Sequence, residues 1–154
     1  MRNRPVIALA GNPNVGKTCL FNALTGAHQT VGNWPGVTVE HKSGLCNYNG
    51  KSYEVVDLPG IYSLAGGSPD ELVARKYILT EKPDIIINLV DASNLERNLY
   101  LTVQLMELGA PLIMCLSMTD IAEHNGIYID TEHLSSHLGF AVYPLVLNKR
   151  IDVS

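Results

Sequence analysis

The sequence predicts an α/β protein: a mostly parallel six-stranded sheet with one antiparallel hairpin strand and helices on both faces. Three observations predict it. Short apolar runs alternate with helix-like stretches, the order that arises when parallel strands are joined by crossover helices. Two of these runs, Ile85–Val90 and Leu112–Leu116, are almost continuously apolar, as strands become when both their faces are covered. Finally, Asn49-Gly50 separates two strand-like runs, and Asn-Gly is a strong hairpin signal because both central positions of a type I′ turn need positive φ. A length of 154 residues suits one globular domain spanning 1–154.

The elements follow in order. Val6–Ala10 is the first strand, and a helix runs from about Cys19 to Thr25, closed by Gly26. Ala27–Gly36 has no hydrophobic period and holds Gly32, Pro35 and Gly36, so it reads as a mobile loop. Val37–Tyr48 and Lys51–Asp57 are the hairpin strands, and a second loop runs on through Gly67. Ser68-Pro69-Asp70-Glu71 starts a helix: Ser68 is the N-cap, Pro69 the first turn, and Glu71 completes a capping box. That helix must end near Thr80, ahead of Pro83. After the strand Ile85–Val90, Asn94–Leu108 is a helix burying Leu95, Leu99, Thr102, Val103 and Met106, ended by Gly109. Leu112–Leu116 is the next strand, Thr131–Leu138 a short helix capped by Thr131 and stopped by Gly139, and Ala141–Val146 the last strand.

After that strand only Leu147–Ser154 remain, too few for a covering helix. The last helix is missing, and one sheet face is expected to be completed by a second copy, an exchanged strand or segment, or a further segment.

Composition narrows the function. A formal net charge of −4 gives no basic footprint for nucleic acid. Cys19, Cys46 and Cys115 are odd in number and lack a C-x-x-C pair, so they read as reduced thiols. The apolar run after Met1-Arg2-Asn3-Arg4 is too short for a signal peptide, and no run approaches the roughly 18 residues of a membrane span.

The chemistry begins at Gly11-Asn12-Pro13-Asn14-Val15-Gly16-Lys17-Thr18, which reads G-x-x-x-x-G-K-T between a strand and a helix. Such a loop aims backbone N–H groups inward, and the helix start at Cys19 adds partial positive charge, so a polyphosphate is cradled there. Lys17 is expected to reach the β- and γ-phosphates and the Thr18 hydroxyl to ligate Mg²⁺. Asp57-Leu58-Pro59-Gly60 is D-x-x-G at a strand end. Its carboxylate can hold Mg²⁺ through water, and the Gly60 N–H can bond the γ-phosphate. Thr38, in Gly36-Val37-Thr38-Val39-Glu40, is the candidate second hydroxyl ligand of that ion, departing on hydrolysis.

Ser117-Met118-Thr119-Asp120 follows a buried strand where guanine-nucleotide proteins read N-K-x-D. Asp120 can accept from guanine N1–H and N2–H₂, a bond expected to contribute about 1.5–3 kcal/mol. Ser117 is shorter than the asparagine that normally braces the pocket, and Met118 can lie over the base with its stem but carries no charge. Guanine preference with weakened affinity is the expectation. Ile61 stands where a water-orienting glutamine is usual, so hydrolysis should be slow. His133 and His137 stand i, i+4, but with no third ligand they read as solvated.

With these motifs in order, the chain resembles small GTPases of the translation-factor-related class. Most closely, it resembles the cytosolic G domain of FeoB, the prokaryotic ferrous iron transport family. The resemblance rests on the P-loop, on Gly32-Asn33-Trp34-Pro35-Gly36-Val37-Thr38-Val39-Glu40, on Asp57-Leu58-Pro59-Gly60-Ile61-Tyr62-Ser63-Leu64, and on Val90–Leu99. It implies binding of GTP/GDP and Mg²⁺, slow hydrolysis, and stimulation by K⁺ held by Asn14 and by carbonyls around Gly32–Trp34. It further implies a helical domain and a polytopic Fe²⁺-moving membrane domain on the cytoplasmic side of the bacterial inner membrane, neither with a counterpart in these residues.

On this resemblance Lys17, Thr38, Gly60 and Asn14 are the candidate catalytic residues. Two departures bear on the base: Ser117, and Val146-Leu147-Asn148, where small hydroxyl residues usually contact it. The expected function is a slowly hydrolysing regulatory GTPase acting on a membrane iron permease. The competitors are a nucleotide-binding interaction module with relaxed base choice and little turnover, a ribosome-assembly GTPase, which would need a basic patch, and a P-loop kinase, which would need lid arginines.

Overall fold

A computed structural model of the chain describes residues 4–145. Its strands are β1 (Val6–Gly11), β2 (Gln29–Asn33), β3 (Glu40–Tyr48), β4 (Lys51–Asp57), β5 (Ile85–Asp91), β6 (Leu112–Ser117) and β7 (Val142–Pro144). They form one sheet in the order β2-β3-β4-β1-β5-β6-β7. The helices are α1 (Lys17–Thr25), α2 (Pro69–Glu81), α3 (Leu95–Glu107), α4 (Thr119–His124) and α5 (Thr131–Leu138), with a 3₁₀ turn at Ala92–Asn94. β1 is central, pairing in parallel with β4 (Leu9 opposite Asp57) and with β5 (Gly11 opposite Leu89).

The sheet has seven strands among the described residues, not six. The extra strand, β2, lies in the segment expected to be a mobile loop and pairs antiparallel with β3, Gln29 opposite Gly44 through Asn33 opposite Glu40. All five of its residues are exposed, so no alternation of apolar and polar positions marks it in the sequence. β3 accordingly begins at Glu40, because Trp34–Val39 forms the turn. The second hairpin is as expected, with Asn49 at φ 51° and Gly50 at φ 75°. Gly44 permits α1 to close on β3: a Cβ there would lie 2.5 Å from the His28 carbonyl oxygen and 2.7 Å from the Thr25 side chain.

Strand parity divides the core. Val6, Ala8, Ala10, Val56, Ile86 and Leu112 face α2 and α3 through Ala74, Ile78, Leu101 and Leu105. Leu9, Val55, Leu89 and Cys115 face α1 through Leu20 and Phe21. Val90, Met114, Leu116 and Val142 pack with Ala122 of α4 and Leu134 and Leu138 of α5. Among the described residues, one face therefore carries four helices and the other only α1. Beside α1 an open groove of about 540 Å³ runs over Ile7, Ile87, Ile113, Cys115 and Leu145 among the described residues.

Three local expectations are corrected. α3 buries Asn98, Leu101, Thr102 and Leu105, whereas Val103 and Met106 are exposed: the helix is rotated toward the polar Asn98 and Thr102. The reason lies in β5, where fully buried Asn88 accepts from Thr102 Oγ1 at 2.5 Å and donates to the Ala10 carbonyl at 3.4 Å. A buried amide must be satisfied, and this pair fixes which face of α3 turns inward. Asp130, not Thr131, caps α5, its carboxylate accepting from the His133 N–H at 3.1 Å. The last strand is only Val142–Pro144; Val146 lies outside the described residues. The capping box of α2 is as expected, with Ser68 Oγ accepting from the Glu71 N–H at 3.3 Å and donating to Glu71 Oε1 at 2.6 Å.

Candidate functional site

The carboxyl end of β1 delivers the chain into Gly11–Gly16, where Asn14 (φ 65°) and Gly16 (φ 96°) are both left-handed. α1 begins at Lys17 with no side-chain cap and no acidic residue in its first turn, so its N–H groups point at the loop without a competing side chain. That is an anion site in outline.

The D-x-x-G segment is moored against this loop by the backbone. The Leu58 N–H donates to the Leu9 carbonyl and the Ile61 N–H to the Gly11 carbonyl, both at 3.0 Å. Gly60 is needed for the close approach: a Cβ there would stand 3.1 Å from Pro13 Cα. The two segments bring Lys17 and Asp57 into a nearly buried ion pair across forty residues of sequence. Lys17, Thr18, Asp57, Leu58, Pro59 and Gly60 thus line one pocket of about 270 Å³, which Val39, Glu40, Lys42 and Asp70 complete.

The donor set fits a hard divalent cation, since the Thr18 hydroxyl and the Asp57 carboxylate are oxygens on one wall of this pocket. Asn14 is exposed in the loop between β1 and α1 and is not among the residues that line this pocket. Thr38 is not gathered in. It is exposed on the turn between β2 and β3, which closes by the Trp34 N–H donating to the Val39 carbonyl at 2.9 Å, with Gly36 at φ 77°.

Beyond Gly60 the loop is held more firmly than its composition suggests. Ile61 and Leu64 are buried. Gln104 of α3 accepts from the Leu64 N–H at 2.6 Å and donates to Ser63 Oγ at 3.1 Å, and the Arg97 guanidinium lies 4.2 Å from the Tyr62 ring centroid.

At the base end, Ser117 closes β6 fully buried, its hydroxyl donating to the Val90 carbonyl at 3.3 Å. It braces β5 against β6 from inside the sheet. Met118 is left-handed at φ 58° and starts α4, a helix absent from the sequence reading, with exposed Asp120 in its first turn alongside Thr119. Val146, Leu147 and Asn148 lie outside the described residues.

The thiols divide by environment. Cys19 is exposed beside the P-loop, whereas burial raises the Cys46 thiol and pushes that of Cys115 up to about 12. His41 is lowered, chiefly by burial, with Glu54 opposing. His133 and His137 are exposed with Nε2 atoms 3.1 Å apart, and among the described residues no group of three or more His, Cys, Asp or Glu could hold a metal. Lys42, Asp70 and Gln104 are neighbours of the site that the sequence does not announce. Nothing in their spacing separates them from solvated strand and helix residues.

The comparisons agree with this geometry. The family model described as "Ferrous iron transport protein B" matches residues 5–154. The Fe(2+) transporter FeoB of Legionella pneumophila (strain Lens) is 55% identical over 149 residues, covering 94% of this chain and 20% of that protein. A GDP-bound mutant of the S. thermophilus FeoB G-domain is 54% identical with a TM-score of 0.89, covering 94% of this chain and 55% of that one. The cytosolic domain of T. maritima FeoB in GMPPNP form is 45% identical with a TM-score of 0.89, covering 94% and 57%. The chain thus spans about a fifth of the length of the transporter it matches. No helix among the described residues is long and apolar enough to cross a membrane. Sequence, strand order and phosphate-loop geometry converge: the chain belongs to the ferrous iron transport protein B family, as its cytosolic G domain.

Proposed function

We propose that the chain binds GTP with Mg²⁺, hydrolyses it slowly, and passes the difference between GTP and GDP states to the Fe²⁺-permease part of a longer protein at the cytoplasmic face of the membrane. The observation that carries this reading is the meeting of Lys17 and Asp57 at the uncapped start of α1. A cation for phosphate and a carboxylate for metal neutralise one another there until a nucleotide separates them. GDP and GMPPNP in the related G domains support the guanine assignment.

In this reading Gly11–Cys19 cradle the phosphates, and Thr18, Thr38 and Asp57 hold Mg²⁺. When bound, the ion would supply charge neutralisation for the phosphates. Lys17 fixes the terminal phosphates, and the Gly60 N–H bonds the γ-phosphate. Asn14 would hold K⁺, which would supply positive charge beside the phosphates. With Ile61 in place of a glutamine, no side chain next to Gly60 orients water, and turnover is slow.

Titration of GTP, ATP and XTP against wild type and Asp120→Asn tests the base. GTP should bind at least tenfold tighter than ATP, and the variant should shift toward XTP. Equal GTP and ATP binding with no such shift overturns the assignment. Phosphate release in K⁺ should exceed that in Na⁺, with Asn14→Ala abolishing the difference; identical rates in all four assays remove the K⁺ role.

One observation favours a second reading of the base end. The Ser117 hydroxyl is engaged inside the sheet, which leaves Asp120 as the main described contact for a base. Relaxed base choice with little turnover would show as GTP and ATP affinities within about twofold of one another.

A further inference from the structure

Trp34 belongs to the turn that carries Thr38, yet its ring is packed against a different element. The indole leaves the turn and lies over His41, ring centroids 4.0 Å apart at 32°, and meets Tyr77 of α2 edge-on at 5.4 Å and 68°. It packs on the core cluster that contains Val6, Val56 and Ala74. With Pro35 and Tyr77 it lines a groove of about 650 Å³ between the sheet and α2.

The indole Nε1 is buried without a hydrogen-bond partner. A desolvated, unpaired N–H is a cost, so this ring is held by stacking and apolar burial alone, and leaving the groove would relieve that cost. The backbone of the same residue is tied into the turn, donating to the Val39 carbonyl at 2.9 Å and accepting from the Val37 N–H at 3.3 Å. Trp34 to Val39 therefore move together. Thr38, inside that unit, is exposed and does not line the pocket of Thr18 and Asp57. Carrying its hydroxyl to that pocket must carry Trp34 as well.

We propose that Trp34 is a plug of the chain's own making. Its indole fastens the Thr38 turn to α2 in the arrangement seen here and withdraws when Thr38 engages the metal, so the Trp34–Tyr77 contact sets the preference for triphosphate over diphosphate. This rests on the nucleotide-switch reading above. A ligand shifts an equilibrium only by its differential affinity for the two states, so weakening the plugged state raises the apparent affinity for the ligand of the unplugged one.

Trp34 is the only tryptophan in the chain, so its fluorescence reports the plug directly. Acrylamide quenching is measured for the nucleotide-free, Mg²⁺·GDP and Mg²⁺·GMPPNP forms, with calorimetry establishing that each nucleotide is bound. GMPPNP, and not GDP, should red-shift the emission and at least double the quenching constant. Tyr77→Ala should raise the ratio of GMPPNP to GDP affinity about three- to tenfold, the scale of one aromatic pair. Tyr77→Phe should restore the wild-type ratio. Trp34→Ala, which removes the plug while keeping every side chain of α2, should raise that ratio likewise. Equal shielding of Trp34 with both nucleotides bound, or an unchanged ratio in Trp34→Ala, overturns the plug alone. Absence of nucleotide binding in the calorimeter overturns the switch reading, and the plug with it.

Discussion

Lys17 and Asp57 illustrate how much a single pair of residues states about a site. Each alone is an ordinary surface charge; nearly buried together, they neutralise one another across the pocket. Cys19, in the first turn of α1 and exposed, gives this arrangement a chemical readout. A disulfide reagent such as DTNB should modify Cys19 rapidly at pH 8, with Cys46 and Cys115 slow because burial raises both thiols. Saturating GDP should slow Cys19 modification at least fivefold. Labelling indifferent to GDP would place the nucleotide elsewhere. At this scale the site was largely legible: G-x-x-x-x-G-K-T and D-x-x-G are constrained at every fixed position by phosphate and metal geometry. Ser117 was legible as a departure, but not its direction, because a hydroxyl facing inward leaves the same letter in the sequence as one facing a base.

Among the elements, α2 matters most to the loop after Gly60. Its capping box does more than end a helix: Glu71 also accepts from the Gly66 N–H at 3.1 Å, so the loop after Gly60 is pinned at both ends, here and by Gln104. Ser68→Ala should cost about 1 kcal/mol. For a domain of this size that lowers the thermal midpoint by roughly 2–4 °C. An unchanged midpoint in scanning calorimetry would show that the cap contributes nothing. The strongly patterned elements, such as this helix and the Asn49-Gly50 hairpin, could be read directly. β2 could not, because a strand exposed on all five residues carries no alternation. The inward face of α3 could not either, because it is set by the hydrogen bond from Thr102 to Asn88, a tertiary demand that overrides apolar periodicity.

Across the described residues, two layers of unequal thickness flank the sheet, and the candidate site opens at the carboxyl ends of β1, β4 and β6. That is where parallel α/β sheets place ligands, because the strand order reverses beside β1. The sequence implied this location through alternation of strands and helices, yet could not order the strands, since nothing local tells β1 that its neighbours are residues 54–57 and 85–89.

That central placement of β1 has a kinetic consequence. The hairpin of β3 and β4 joins neighbours in sequence and can form early, whereas β1 must close one loop of more than forty residues to meet β4 and another of nearly eighty to meet β5. The phosphate loop leaves directly from β1, so it cannot take shape until both closures are made. In stopped-flow refolding, binding of a fluorescent GDP should appear only with the slowest phase, after most far-ultraviolet ellipticity has returned. Nucleotide capture in the first phase would mean that the loop assembles ahead of its sheet. On this account a newly made chain acquires its hairpin before its ligand, and GDP recognises only molecules whose central strand has already been threaded between its two distant partners.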